Sequence, residues 1–277
     1  MNDPTLSVVV PAYNNAKYIG ATIESVLSQE GVDFELVLAD HSSTDETLRI
    51  AESYSADDRL TVTETPRGGG APANWRRVTE LASGRYLKLV CGDDVLRPGV
   101  LARQVALLEE HPEAVLTACR RDVIDSSGRT LIAGRGLQKI NRRMSGTEAI
   151  RRSVRGGTNP FGEPASVMMR REALEQAGGW WGEFPYLIDQ ASYCRVLLGG
   201  EFVPDDEVGA TFRMSNEQWS VALVKEQARQ AHGFHHWMSV HHPDVVNATD
   251  VRIGNIRASL AARARRMAYA ILRGRMR

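Results

Sequence analysis

Gly92-Asp93-Asp94 closes the apolar run Tyr86-Leu87-Lys88-Leu89-Val90-Cys91. Adjacent carboxylates at the tip of a buried strand repel one another and resist desolvation unless a cation sits with them. A hard divalent ion takes carboxylate oxygens, and Mg²⁺ or Mn²⁺ usually completes its shell with water and phosphates. The pair therefore points to a cation carrying a diphosphate, with an ordinary Asp-Asp turn as the alternative.

Periodicity indicates the elements that must hold this pair. Leu6-Ser7-Val8-Val9-Val10 is a β-branched apolar strand closed by Pro11, and residues 16–29 carry Ile19, Ile23, Val26 and Leu27 at helical spacing. Phe34 to Ala39 reads as a second strand ending at Asp40, and Ser43-Thr44-Asp45-Glu46 starts a helix reaching about Tyr54. A short strand over 60–63, a glycine-rich loop over 66–72, a helix over 74–82 stopped by Gly84, and a strand over 85–91 follow. Apolar strands alternating with amphipathic helices predict an α/β fold, a mostly parallel sheet with helices on both faces. Ligands bind such sheets outside the carboxyl ends of the strands. That rule gathers Pro11-Ala12-Tyr13-Asn14, Asp40-His41-Ser42 and Asp93-Asp94 along one edge. Beyond residue 97 the pattern predicts helices over 98–110, 170–177 and 187–198, strands over 114–123 and 208–214, and an exposed loop over 156–160. Two C-terminal helices, about 217–240 and 253–273, complete the chain.

Ser7-Val8-Val9-Val10-Pro11-Ala12-Tyr13-Asn14-Asn15, Asp40-His41-Ser42-Ser43-Thr44-Asp45, and Ala82-Ser83-Gly84-Arg85-Tyr86 leading to Asp93-Asp94 resemble the family 2 inverting glycosyltransferases of glycosyltransferase A fold. The resemblance covers roughly residues 5 to 220. It implies a nucleotide-sugar site built from Pro11, Ala12, Tyr13, Asn14, Asp40, Ser42, Asn74, Arg76 and Asp93. Tyr13 would floor the base, and Asp40 would accept from the N3–H of uracil, which favours a UDP-sugar. It assigns the metal, Mn²⁺ or Mg²⁺, to Asp94 as direct ligand with Asp93 beside it. Gly178-Gly179-Trp180 followed by Asp189 resembles the acceptor segment. Asp189 matches the second residue of an acidic pair, the one assigned as general base, and Ile188 stands in the first position. Trp180, Trp181, Arg213 and Ser215 are further candidates for acceptor or diphosphate contacts. Ser215 replaces a histidine often found there, and Ala73 an arginine, leaving Arg76 or Arg67 to supply the charge. The readings kept open beside this one are a non-catalytic nucleotide-sugar-binding relative and a sugar nucleotidyltransferase. The latter usually carries a basic glycine-rich loop where this chain has Pro11-Ala12-Tyr13-Asn14-Asn15.

The chain has 277 residues with 34 Lys and Arg against 34 Asp and Glu, so a nucleic-acid partner has no electrostatic support. The balance is uneven: from Val251 to Arg277 there are eight arginines and no acid. That mixed basic and apolar helix could rest on a membrane surface, pack on the acidic body, or stay solvated. Residues 1–110 are expected to form the nucleotide-sugar half, 111–220 the acceptor half of the same domain, and 221–277 a helical extension. Three separated cysteines suggest reduced thiols, and neither a secretion signal nor a spanning apolar run is legible. The expected location is the cytoplasm or the inner face of a membrane, and the expected partners are a sugar nucleotide and a saccharide, glycolipid or other hydroxyl acceptor. Monomer and homodimer are both left open. His232 and His236, one helical turn apart, read as a solvated helix end rather than a zinc site.

Overall fold

The computed structural model describes residues 4–137, 140–214, 223 and 226–272. Ser215 therefore lies outside the described residues. Strands β1 (Leu6–Ala12), β2 (Phe34–Asp40), β3 (Leu60–Glu64) and β4 (Tyr86–Leu89) pair in the order β3-β2-β1-β4, all parallel. The sheet continues through β9 (Val167–Arg170), β6 (Ala114–Ile124), β10 (Glu201–Arg213) and β5 (Val95–Leu96). Of these, β9 runs antiparallel to both of its neighbours, β4 and β6, while β6 and β10 are parallel. Strand β7 (Thr130–Arg135) pairs with β6, and β8 (Met144–Ser145) with β10.

Alternate residues of the apolar strands feed two cores. Val8, Val10, Leu36 and Leu38 pack against α1 (Ile19–Leu27), α2 (Thr47–Glu52) and α4 (Val100–Glu110). Val9, Val37, Leu87 and Leu89 share the other core with α3 (Gly70–Glu80), α5 (Gly146–Gly156), α7 (Ile188–Leu197) and α8 (Gln227–His241). Burial on both faces explains why these strands read as continuous apolar runs. A short α6 (Arg171–Gln176) follows β9, and α9 (Ala248–Leu272) closes the described chain. Among the described residues no helix is long and apolar enough to cross a membrane.

Several expectations need correction. Helix α3 begins at Gly70, inside the expected loop, because Gly69 at φ +77° turns the chain into it. Residues 156–160 are not an exposed loop: Gly156 ends α5, and Gly157 and Pro160 are buried. Strand β10 begins at Glu201, well before residue 208, carried past Pro204 by bulges against β6. The histidine segment is not simply solvated. His235 is buried with Nδ1 2.8 Å from Asn255 Oδ1, and burial pushes its pKa down to about 4.

Helix α9 seats on α5 through glycine. A Cβ at Gly254 would lie 2.2 Å from the Val154 carbonyl oxygen. Gly254→Val is therefore expected to lower stability by about 3 kcal/mol, the upper range for overpacking, in urea denaturation followed by circular dichroism. An unchanged midpoint would show that α9 does not hold this close approach in solution.

Candidate active site

Three loops at the carboxyl ends of β1, β2 and β4 are knitted together by side chains. Asn14, at φ +52°, accepts the Thr44 N–H through Oδ1 at 2.8 Å and donates its own N–H to Ser43 Oγ at 2.9 Å. Asn15 Oδ1 accepts the Tyr13 N–H, and the Asn15 N–H reaches Thr47 Oγ1. A Cβ at Gly92 would come within 2.7 Å of Asn15 Oδ1, so a larger residue there would displace the side chain that accepts the Tyr13 N–H. The loop after β1 thus rests on both the loop after β2 and the turn that carries Asp93 and Asp94.

At the β2 end, Asp40 is 1% exposed, with Oδ2 accepting the Ser43 N–H at 2.9 Å. Its other oxygen, Oδ1, is buried without a partner. Tyr13 stands 53% exposed with its ring edge-on to His41. Ser42 spends its hydroxyl on Thr65 O, and Asn74 bridges Thr65 Oγ1 to Ala12 O, so these two position backbone. Arg76 does not join Asn74: two residues on, about 200° around α3, it is exposed. The cation near His41 is Arg77, whose charge adds to burial in lowering the His41 pKa. Arg77 was not singled out in the sequence, although three residues after Asn74 it shares that face of α3.

Asp93 and Asp94 differ. Asp94 is 1% exposed, and its Oδ1 accepts the Arg213 N–H at 3.1 Å while Oδ2 has no partner. Burial, then the neighbouring Asp93 charge, raises the Asp94 pKa well above the carboxylate range. Asp93 is 9% exposed, and its carbonyl accepts from Arg213 Nε. Arg213 also lies over the Tyr18 ring at 4.3 Å. It braces the acidic turn with its backbone and its side chain alike.

Asp189 lies in the first turn of α7. Its Oδ2 accepts from Asn159 Nδ2 at 2.9 Å, and its Oδ1 from the Gln190 N–H. Burial raises its pKa to about 6, helped by the Glu163 charge and opposed by those hydrogen bonds. Cys91 links this carboxylate to the acidic turn. Burial first, and then the charges of Asp94, Asp93, Asp189 and Glu163, push its thiol well up. The base candidate and the acidic pair therefore share one neighbourhood.

Glu163 and Asn159 were missed by sequence reasoning. Glu163 pairs with Arg121, which is 3% exposed. Burial opposes its ionisation, but the Arg121 charge outweighs it and holds the Glu163 pKa below the usual range. Both residues sit in an irregular stretch, Asn159-Pro160-Phe161-Gly162-Glu163-Pro164, with no spacing that ties them to a motif. Trp180 is a correction. It is 2% exposed, donates Nε1–H to Thr79 Oγ1 and packs on Trp75 and Tyr193, so it is core and cannot meet an acceptor. Trp181 is partly buried, 4.5 Å from Trp237 and under Arg195.

The sequence profile of glycosyl transferase family 2 matches residues 7–178. The chain belongs to glycosyltransferase family 2. An uncharacterized protein of Mycobacterium tuberculosis is 34% identical over 211 residues, 73% of this chain and 66% of that protein. The solved S. aureus TarS fragment in complex with UDP-GlcNAc superposes with a TM-score of 0.68 at 20% identity, covering 85% of this chain and 66% of that one. The Pyrobaculum calidifontis mannosyltransferase PcManGT, solved with GDP-Man and Mn²⁺, gives 0.62 at 16% identity over 98% of this chain and 81% of its own. The architecture is thus of glycosyltransferase A type. The chain spans 66% of the length of the first curated relative and 46% of that of the second.

Proposed function

We propose that this chain is a metal-dependent inverting glycosyltransferase, moving a sugar from a UDP-sugar to a hydroxyl acceptor in glycan, glycolipid or polysaccharide synthesis. The observation that carries the reading is the pair of buried, unpartnered acceptor oxygens, Asp40 Oδ1 and Asp94 Oδ2, at the carboxyl edge of a parallel sheet. Each suits a group that a sugar nucleotide brings: an imide N–H for Asp40, and a cation for the acidic turn. A uridine donor is supported by the 35% identity over 113 residues to TarS, which is solved with UDP-GlcNAc.

Among the described residues no three His, Cys, Asp or Glu side chains form a metal cage. Two carboxylates suffice for an ion that arrives with its diphosphate, because Mg²⁺ and Mn²⁺ are commonly held by one or two carboxylates and phosphate. Both carboxylates would share the contact: Asp94 through its unpartnered Oδ2, since its Oδ1 is committed to the Arg213 backbone, and Asp93 as the more exposed of the pair. Bound there, the ion would neutralise charge on the departing diphosphate. Tyr13 offers its exposed ring to the base, and Asn14 and Asn15 tie that loop to the segment after β2. Asp189, aimed by Asn159, takes the acceptor proton as the hydroxyl attacks the anomeric carbon from the face opposite the diphosphate. A pKa near 6 leaves it ionised at neutral pH and still basic enough for that transfer.

Glu163 is ionised by Arg121, and its charge acts on both Asp94 and Asp189, so we assign it to the transferred sugar between the metal-binding turn and the base. Its carboxylate accepts hydrogen bonds from sugar hydroxyls. Glu163→Gln is expected to raise the KM for UDP-sugar roughly tenfold, the worth of one charged hydrogen bond, with UDP affinity unchanged. Glu163→Asp keeps a charge for Arg121 but shortens its reach, so it repeats the KM change with a smaller loss of melting temperature. Equal losses for UDP and UDP-sugar would make Glu163 a scaffold residue.

The test of the overall reading is titration calorimetry of the protein with UDP, GDP and dTDP, each with Mn²⁺ and with EDTA. Binding of UDP with Mn²⁺ and its loss in EDTA are expected. Absence of binding by all three, in folded protein, would overturn the donor site.

A further inference from the structure

Helix α9 has two unlike faces. Gly254, Ala258 and Ala262 are buried on the inner one, and Asp250 anchors it through Arg151 and Arg155 of α5. On the outer face Ile256 and Leu260 are each 57% exposed and Met267 is 67% exposed. At 100° per residue these three fall within an arc of about 40°. Exposed Arg252, Arg263 and Arg266 lie along one side of that strip, and exposed Arg257 along the other. Apolar residues scattered singly on a surface need no explanation, but an aligned strip between rows of arginine does. No acidic residue occurs anywhere from Val251 to Arg277.

We propose that the outer face of α9 docks on an anionic lipid bilayer surface. Charge selects this occupant. Arginine stems lie along apolar surface while their guanidinium groups reach lipid phosphates, and the strip enters the boundary between headgroups and acyl chains. Each arginine near an anionic surface strengthens binding by about fivefold. A second copy of this chain fits poorly, because a two-fold contact brings the same patch against itself and here sets arginine against arginine. The inner face carries Arg265, which stacks on Tyr186 at 5.7 Å, three residues before Asp189. A helix is about 10–12 Å across and Tyr186 lies just beyond its inner face, so docking turns the Asp189 side of the site toward the headgroups. Resting on the proposed transferase activity, this makes a hydroxyl acceptor anchored in the membrane the substrate class that the site can reach.

The test is co-sedimentation of the purified full chain with vesicles of phosphatidylcholine alone and of phosphatidylcholine mixed with phosphatidylglycerol. Binding to the mixed vesicles only, weakening as salt rises, is expected. Leu260→Glu with Met267→Glu, and separately Arg263→Glu with Arg266→Glu, should each weaken it at least tenfold while keeping the parent melting curve. Equal binding to both vesicle types, no binding, or double variants that bind like the parent overturns the proposal. So does a dimer in light scattering that Leu260→Glu converts to monomer, which would assign the strip to a second copy. None of these readouts uses a sugar nucleotide, so failure of the lipid surface and failure of the donor site remain separable.

Discussion

Replacing Asp189 by Asn is expected to leave UDP affinity unchanged and to slow sugar transfer by about 10²–10⁴-fold, the contribution of a positioned general base. Asn159 still finds an oxygen to donate to, so the geometry survives and the basicity is lost. In the parent, the transfer rate should rise with pH to a plateau with a midpoint near 6, where Asp189 ionises. That limb should vanish in the variant. Stability moves the other way. Asp189 has a folded pKa of about 6 against an ordinary 3.8, so the fold favours its neutral form. The stabilisation is present below pH 3.8 and is lost as pH rises through 6. At pH 7 the ionised carboxylate therefore costs up to about 3 kcal/mol. Asp189→Asn should melt higher than the parent at pH 7 and no higher at pH 4. Thermal unfolding at the two values measures this, and steady-state transfer measures the rate. A fully active variant would return Asp189 to a helix-terminal role. A parent that binds UDP-sugar and transfers nothing would favour the non-catalytic relative.

The second large effect separates the two carboxylates of the acidic turn. Asp93→Ala is expected to weaken UDP binding in Mn²⁺ roughly a hundredfold, about 2.7 kcal/mol, to the level seen in EDTA. Asp94→Asn keeps an oxygen for the Arg213 N–H and removes a carboxylate whose ionised form burial disfavours, so it should melt no lower than the parent. If Asp94→Asn alone abolishes the metal dependence, the direct ligand is Asp94, as the resemblance implies. Calorimetry of both variants with and without Mn²⁺ decides between them.

The first four strands and the loops at their ends were legible because two-sided burial makes each strand a continuous apolar run, and a polar cluster interrupts each run at its carboxyl end. The family resemblance added roles for Asp40, Asp93, Asp94 and Asp189 that spacing alone does not supply. The second half was legible mainly in its helices. Strands β5 and β8 have two residues each, too few to show alternation. Helix α5 was overlooked although its start was written in the sequence: Ser145-Gly146-Thr147-Glu148 is a capping box, and Ser145 Oγ accepts the Glu148 N–H. Trp180 was misjudged because a tryptophan after two glycines looks equally like an exposed platform and a core anchor. Glu163 acquires its character from Arg121, 42 residues away, and no local pattern carries such a pair.

Strand β9 has a consequence for how the chain reaches this fold. It lies at the centre of the sheet, between β4 and β6, yet it comes from residues 167–170, after both. Lys88 on β4 donates to Gln104 Oε1 at 2.8 Å and to Val167 O at 3.3 Å, so one partner of that buried ammonium arrives only with β9. A chain leaving the ribosome therefore holds β4 as an open edge until residue 170 has emerged, and then closes a long loop to fill the gap. Nonlocal closure of this kind folds slowly and cooperatively. The half carrying the acidic turn and the half carrying Asp189 should thus gain their structure together, and a fragment ending before β9 would offer its β4 edge to other chains.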